Sequence, residues 1–108
     1  MNYQINDAAK TLSITVPGDV LSTNADALRE KIFGLLESPA VRLGAWDTLS
    51  LDLSAAKMVD SVGLNLLVAL VRAVKSRQAR IRAIIKSPNI HRTLLFTRLD
   101  REMELVTT

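Results

Sequence analysis

No cysteine occurs in these 108 residues, which rules out disulfides, thiolate metal ligands and cysteine nucleophiles and fits a reducing compartment. Histidine is almost as scarce. His91 stands alone, without the second histidine or clustered acids that a metal site or a relay of protons needs, so a structural place in its helix is expected of it. The four glycines, Gly18, Gly34, Gly44 and Gly63, are isolated from one another, and none opens a glycine-rich phosphate loop. One Trp, one Tyr and two Phe leave little with which to stack nucleic acid bases. The longest uncharged apolar stretch, the 11 residues from Ser61 to Val71, is about half of what a bilayer requires. The opening Met1-Asn2-Tyr3-Gln4-Ile5-Asn6-Asp7 lacks the basic and then apolar layout of a secretory leader. A cytoplasmic protein without membrane insertion is therefore expected.

What is present is charge, unevenly placed. The net charge is +3, but residues 1–53 hold four Lys and Arg against seven Asp and Glu, and residues 54–108 hold ten against four. A basic half admits nucleic acid or an anionic surface as partner. Here the basic residues are spread over several elements and aromatics are few, so a solvated face is expected and direct nucleic-acid binding is not. An acidic protein partner fits the same charge. The carboxylates of Asp7, Asp19, Asp47, Asp52 and Asp60 fall at loops and strand ends, but no acid, base and nucleophile set can be named among them. Neither an enzyme nor a cofactor is expected.

Periodicity divides the chain into alternating elements, and 108 residues suit one domain with a single core. Tyr3 and Ile5 alternate with polar neighbours as a short strand, and Asp7 to Lys10 turns it back. Leu12-Ser13-Ile14-Thr15-Val16 alternates strictly and is rich in branched residues, so it reads as a strand with one apolar face, stopped by Pro17 and Gly18. Ser22, Thr23 and Asn24 offer N-caps for a helix, with Thr23 and Asp26 spaced as a capping box. The stripe Ala25, Leu28, Ile32, Leu35 and Leu36 gives that helix its apolar side, and Ser38-Pro39 ends it. A loop with the sole tryptophan, Trp46, follows. Thr48 to Leu53 alternates as a third strand, a helix runs from Ser61 to about Ser76, and Arg80 to Ile85 is a fourth strand. Ser87-Pro88 starts another helix, serine as N-cap and proline at its first position, extending to about Phe96 or Thr97. Met103 to Val106 closes the chain as a short strand.

The polar positions of these strands carry the architecture. Ser13 and Thr15, then Thr48, Ser50 and Asp52, then Arg80 and Arg82 fall on alternate residues, so the sheet has one wet face and helices cover the other. Strands buried on both faces read instead as continuous apolar runs. Right-handed crossovers that advance one way across a sheet leave every helix on one side. The expectation is an α/β two-layer sandwich, a mixed sheet of four to five strands with helices mainly on one face.

One stretch stands out chemically. Met58-Val59-Asp60-Ser61-Val62-Gly63-Leu64 passes from an extended connection into the charge-free helix, with a hydroxyl at its mouth. First-turn N–H groups are unsatisfied and locally positive, so a phosphate on Ser61 would be tolerated there. The residues alone also allow a plainer reading, in which Ser61 or Asp60 caps the helix and Gly63 permits close packing.

A strand ending Leu51-Asp52-Leu53-Ser54, five linking residues, then Asp60-Ser61-Val62-Gly63-Leu64 and a strongly apolar helix resembles the STAS domain, and within it the bacterial anti-sigma factor antagonists. Val16-Pro17-Gly18-Asp19-Val20 is similar to the family's strand and glycine-acid turn, and Leu94 to Leu99 with Asp100 to its closing leucine-aspartate segment, so the resemblance covers nearly the whole chain. It implies that Ser61 is phosphorylated by a partner serine kinase of the histidine-kinase-like ATPase class, itself the anti-sigma factor or a related switch kinase, and that a phosphoserine phosphatase reverses the mark. Asp60 would position the hydroxyl or the kinase groups. The unphosphorylated protein, a monomer or weak dimer, would bind that kinase and free a sigma factor. Partner contact would run through Asp19, Leu21, Ser22 and Thr23 and through Asp60, Ser61, Val62, Gly63 and Leu64. Leu21 stands where the family's turn often has a second acid, which argues against nucleotide binding. The resemblance also admits a subunit of a membrane transport or lipid-trafficking complex, or a signalling scaffold.

Overall fold

A computed structural model describes residues 1–108. Strand β1 (Asn2–Asn6) turns back through Asp7 to Lys10 onto β2 (Thr11–Thr15), and helix α1 (Ala25–Glu37) and a short α2 (Pro39–Arg42) lead to β3 (Thr48–Asp52). Helix α3 (Ser61–Ser76), β4 (Arg80–Ile85), α4 (Pro88–Phe96), a single 3-10 turn at Leu99–Arg101 and β5 (Glu104–Thr107) complete the chain. The five strands lie in the order β1-β2-β3-β4-β5, with β1 antiparallel to β2 and the other pairs parallel. This is the mixed α/β sheet anticipated from the alternation.

Register explains why the alternation was informative. Leu12, Leu49 and Ile81 stand side by side across β2, β3 and β4, and Ile14, Leu51, Ala83 and Leu105 form the next rung. Every member but the half-buried Leu105 is buried. On this face lie Leu28 and Ile32 of α1, Leu66, Leu67, Leu70, Val71 and Val74 of α3, and Ile90 and Leu94 of α4, in one continuous core. Strand order equals chain order, so each crossover steps the same way and deposits its helix on the same side. The opposite face carries the polar set, though it is drier at its centre than expected. Ser50 is only 7% exposed, because it is a small side chain on the middle strand, flanked in register by Ser13 and Arg82.

Local chemistry departs from expectation at three helix starts. Asn24, not Thr23, precedes α1, and no side chain caps that helix. Ser87 precedes α4 in extended conformation, but its hydroxyl donates to the Lys57 carbonyl (3.2 Å) instead of capping. The segment after Ser38 is not wholly loop, since Ser38-Pro39 opens α2 with proline at the first turn. The dipeptide that starts α4 thus also starts α2, and the fixed proline φ serves both.

Helix α3 stops in a Schellman arrangement, with Ala79 N–H on the Val74 carbonyl (3.1 Å), Gln78 N–H on that of Lys75 (2.8 Å) and Gln78 itself left-handed at φ 64°. That sharp end places Arg77 against the α2–β3 connection. Its guanidinium lies 3.9 Å from the centre of the Trp46 ring and donates to the carbonyls of Arg42 (2.8 Å), Trp46 (3.2 Å) and Gly44. The buried Trp46 indole N–H in turn donates to the Val41 carbonyl (2.8 Å). A ring-facing cation that also serves several orphaned carbonyls is worth more than a surface charge. Arg77→Ala should therefore lower stability by about 2 kcal/mol and shift the Trp46 emission. A urea titration followed by that fluorescence checks both, and an unchanged midpoint would show the clip to be idle.

Candidate functional site

The carboxyl ends of β2 and β3 open into two loops, and the site is where these loops are sewn together. Val20 N–H donates to the Met58 carbonyl and Asp60 N–H to the Val20 carbonyl, both at 3.2 Å, which makes a one-residue parallel bridge between Val20 and Val59. A bridge so short needs side-chain support. Asp19 supplies it from one loop, a single carboxylate oxygen accepting from Lys57 N–H (2.7 Å) and Met58 N–H (3.1 Å). Asp60 supplies it from the other, accepting from Ser22 N–H (2.7 Å) across the gap and from Gly63 N–H (2.9 Å) in the first turn of α3. Asn24 then closes its own loop, donating to the Asp19 carbonyl (2.7 Å) and accepting from Leu21 N–H (2.8 Å).

Asp60 is thus the N-cap of α3, and Ser61 is its first helical residue. Of the two capping candidates in the sequence, the acid takes the role. The N–H of Gly63, and after it that of Ser22, hold the Asp60 carboxyl below its ordinary value of 3.8, since both bonds favour the charged form. Ser61 takes no part in this lattice, which Asp19, Asn24 and Asp60 carry among themselves, and the residue is exposed. Its hydroxyl therefore projects from the positive end of a 16-residue helix whose cap is already filled by a carboxylate.

The remaining residues divide by what they present. Gly63 is buried, and a Cβ on it would stand 2.1 Å from the Val20 carbonyl oxygen. Only glycine lets α3 enter beneath the Val20 bridge. Asp19 and Leu21 are half-buried and turned to loop structure, whereas Ser22, Thr23, Ser61 and Val62 are exposed and Leu64 is half-buried. The Ser22–Asp60 bond makes the two predicted segments one surface. Sequence reasoning passed over Met58, which is 53% exposed beside this surface, and over Asn24 as a latch. Asx residues bonding backbone within their own turn were the available signal for Asn24. No cluster of His, Asp and Glu gathers that could hold a metal ion, and no helix is long and apolar enough to cross a membrane.

Comparison with known proteins supplies a family. The STAS domain model matches residues 1–108. No curated protein matches the chain. Among solved structures, a candidate anti-sigma factor antagonist of Thermotoga maritima superposes with a TM-score of 0.81 at 20% identity, covering 99% of this chain and 86% of that one. An anti-sigma factor antagonist of Mycobacterium paratuberculosis gives 0.76 at 23% identity, with coverage of 99% and 86%. The Bacillus cell fate determinant SpoIIAA in its phosphorylated form gives 0.64 at 21%, with 98% and 92% covered. At these identities the likeness is one of fold.

Two measurements test the sewn loops. Gly63→Ala must push α3 and the Val20 carbonyl apart, and should cost about 1–3 kcal/mol as an overpacked site; an unchanged thermal midpoint would show that the close approach is not needed. Because Asp60 titrates lower when folded than when unfolded, its stabilising effect is complete above 3.8 and fades as pH falls below that value. The stability gap between wild type and Asp60→Asn should accordingly shrink on acidification. A gap constant with pH would mean that charge is irrelevant to the cap.

Proposed function

This chain belongs to the STAS domain family, and from that membership we propose that it is an anti-sigma factor antagonist switched by phosphorylation of Ser61. In its unmodified form it binds an anti-sigma factor that is also a serine kinase of the histidine-kinase-like ATPase class, and so frees a sigma factor. The protein itself is a binding module with no catalytic role. The observation that carries the reading is the exposed, uncommitted Ser61 at the first position of α3, set beside a cap that Asp60 already fills. The fold of SpoIIAA has been solved in a phosphorylated form, which supports the view that this architecture accommodates such a mark.

The chemistry follows from the lattice. In the transfer, Ser61 Oγ would form a bond to the γ-phosphorus of ATP as the bond to ADP breaks, and the hydroxyl proton must go to a base. Asp60 is poorly suited to that task, because both of its carboxylate oxygens already accept from backbone N–H groups. The base therefore belongs to the kinase. Once attached, a phosphate brings roughly −1.5 to −2 charges. The helix end tolerates these while the surface is in water. Pressed into an interface beside the Asp60 carboxylate, they add repulsion and a dehydration cost, so the partner is expelled and the domain stays folded. A phosphoserine phosphatase restores the binding form. The loops around Ser22 and Ser61, with Met58 and Val62 exposed, form the centre of an interface of about 800 Å² on this side.

Intact mass and peptide mapping of the protein from its native host should find one phosphatase-sensitive phosphate, on Ser61, under some growth or stress condition. Titration calorimetry with the cognate anti-sigma factor should find Ser61→Asp weakened by at least about tenfold, or about 1.4 kcal/mol. A serine unmodified in all conditions, together with undiminished binding by Ser61→Asp, would move the protein to the constitutive transport-subunit or scaffold role.

A further inference from the structure

Part of the positive charge of the second half gathers in one place. Of the four acids after residue 53, Asp60 is committed to backbone N–H groups, Glu102 is paired with Lys75, and Glu104 lies 3.8 Å from Arg82. Only Asp100 remains. Lys57, Lys86 and Arg92 have no ion-pair partner, and the fold brings them together where the β3–α3 connection meets the start of α4. A hollow of about 610 Å³ opens there between Ser54, Lys57, Lys86, Asn89 and Arg92. A second, of about 180 Å³, continues along the helix between Arg92, Thr93, Phe96 and Thr97. Arg92 lines both, and no carboxylate lines either.

The two hollows form a track along the outer side of α4. Ile90 and Leu94 turn into the core, while Asn89, Arg92 and Phe96 recur at helical spacing on the other side. Phe96 is 88% exposed at the far end, next to Leu95 at 46%. An aromatic ring so bare gives the fold nothing, and such residues dominate contact energies when a partner covers them. The helix has nine residues and so runs about 14 Å, the span of about four extended residues.

We infer that this track docks an extended acidic segment of a protein partner, its carboxylates over Lys57, Lys86 and Arg92 and an apolar side chain against Phe96. Nucleic acid fits less well. Its phosphates recur along the whole strand, whereas this track changes from cationic to apolar beyond Arg92, and it offers a single ring. The other aromatics lie elsewhere, with Trp46 buried, Phe33 half-buried and Tyr3 on the opposite edge strand. The docking track stands independently of the Ser61 switch and begins at Ser54 to Lys57, the segment that leads into it.

The full chain, labelled with ¹⁵N, would be titrated with a peptide of about eight alternating Glu and Leu residues, with its Lys-Leu counterpart, and with an oligouridylate of similar length. The Glu-Leu peptide should shift amides of Lys57, Lys86, Arg92 and Phe96 and bind more weakly as salt rises. Arg92→Glu should weaken it by at least about tenfold, and Phe96→Ser, at an exposed position, should weaken it without altering the fold's spectrum. No shift at about 1 mM peptide, shifts spread equally over Arg72, Arg80 and Arg101, or tighter binding of the oligouridylate would each overturn the inference. The titration uses neither kinase nor phosphate, so a failed switch at Ser61 would leave its result intact.

Discussion

Two carboxylates hold the loops around Ser61 together, and they do so by accepting from backbone. Asp60 joins the first turn of α3 to the Ser22 loop, and Asp19 joins that loop to the chain entering α3. Between them runs a bridge of one residue pair, too short to persist alone. Gly63 makes the arrangement sterically possible, since a methyl group there would meet the Val20 carbonyl. Three residues that a sequence reader would assign to function are therefore first of all the framework. They place the serine and leave it free.

That division clarifies what a reader of the sequence can recover. Strands β2, β3 and β4 were legible because each alternates on a two-residue period and the register sets their apolar residues in rungs. The one-sided layering followed from the same pattern, because polar alternate residues exclude a helix on that face. What escaped was chemistry that depends on a neighbour distant in sequence. Asn24 and Ser87 look like helix caps but spend their side chains on Asp19, Leu21 and Lys57. The hydrophilic face contains the nearly buried Ser50 because its flanking strands screen it. The short α2 was missed for another reason: Ser38-Pro39 carries the same start signal as Ser87-Pro88, but it follows directly on α1 and reads there as a stop.

The candidate site was legible as a segment and illegible as a geometry. Asp60-Ser61-Val62-Gly63-Leu64 draws notice by its helix-start chemistry and by family resemblance, but that Asp60 both caps α3 and accepts from Ser22, 38 residues away in the chain, is visible only in the fold. The basic half shows the same limit. Counting charges gives an excess, whereas only the fold tells which cations are already answered by Glu102 and Glu104 and which are not.

Strand order that repeats chain order has a consequence for the birth of the molecule. No strand has to be inserted between two that were made earlier. The β1–β2 hairpin presents an edge on which β3 can pair as soon as α1 and α2 have been synthesised, and β3 offers the next edge to β4 in turn. Contacts between neighbouring strands span a single crossover, so no pairing carries a loop-closure cost larger than one helical connection imposes. A growing polypeptide leaving the ribosome can therefore lay down its sheet from one side to the other, with each unit ready before the following one emerges.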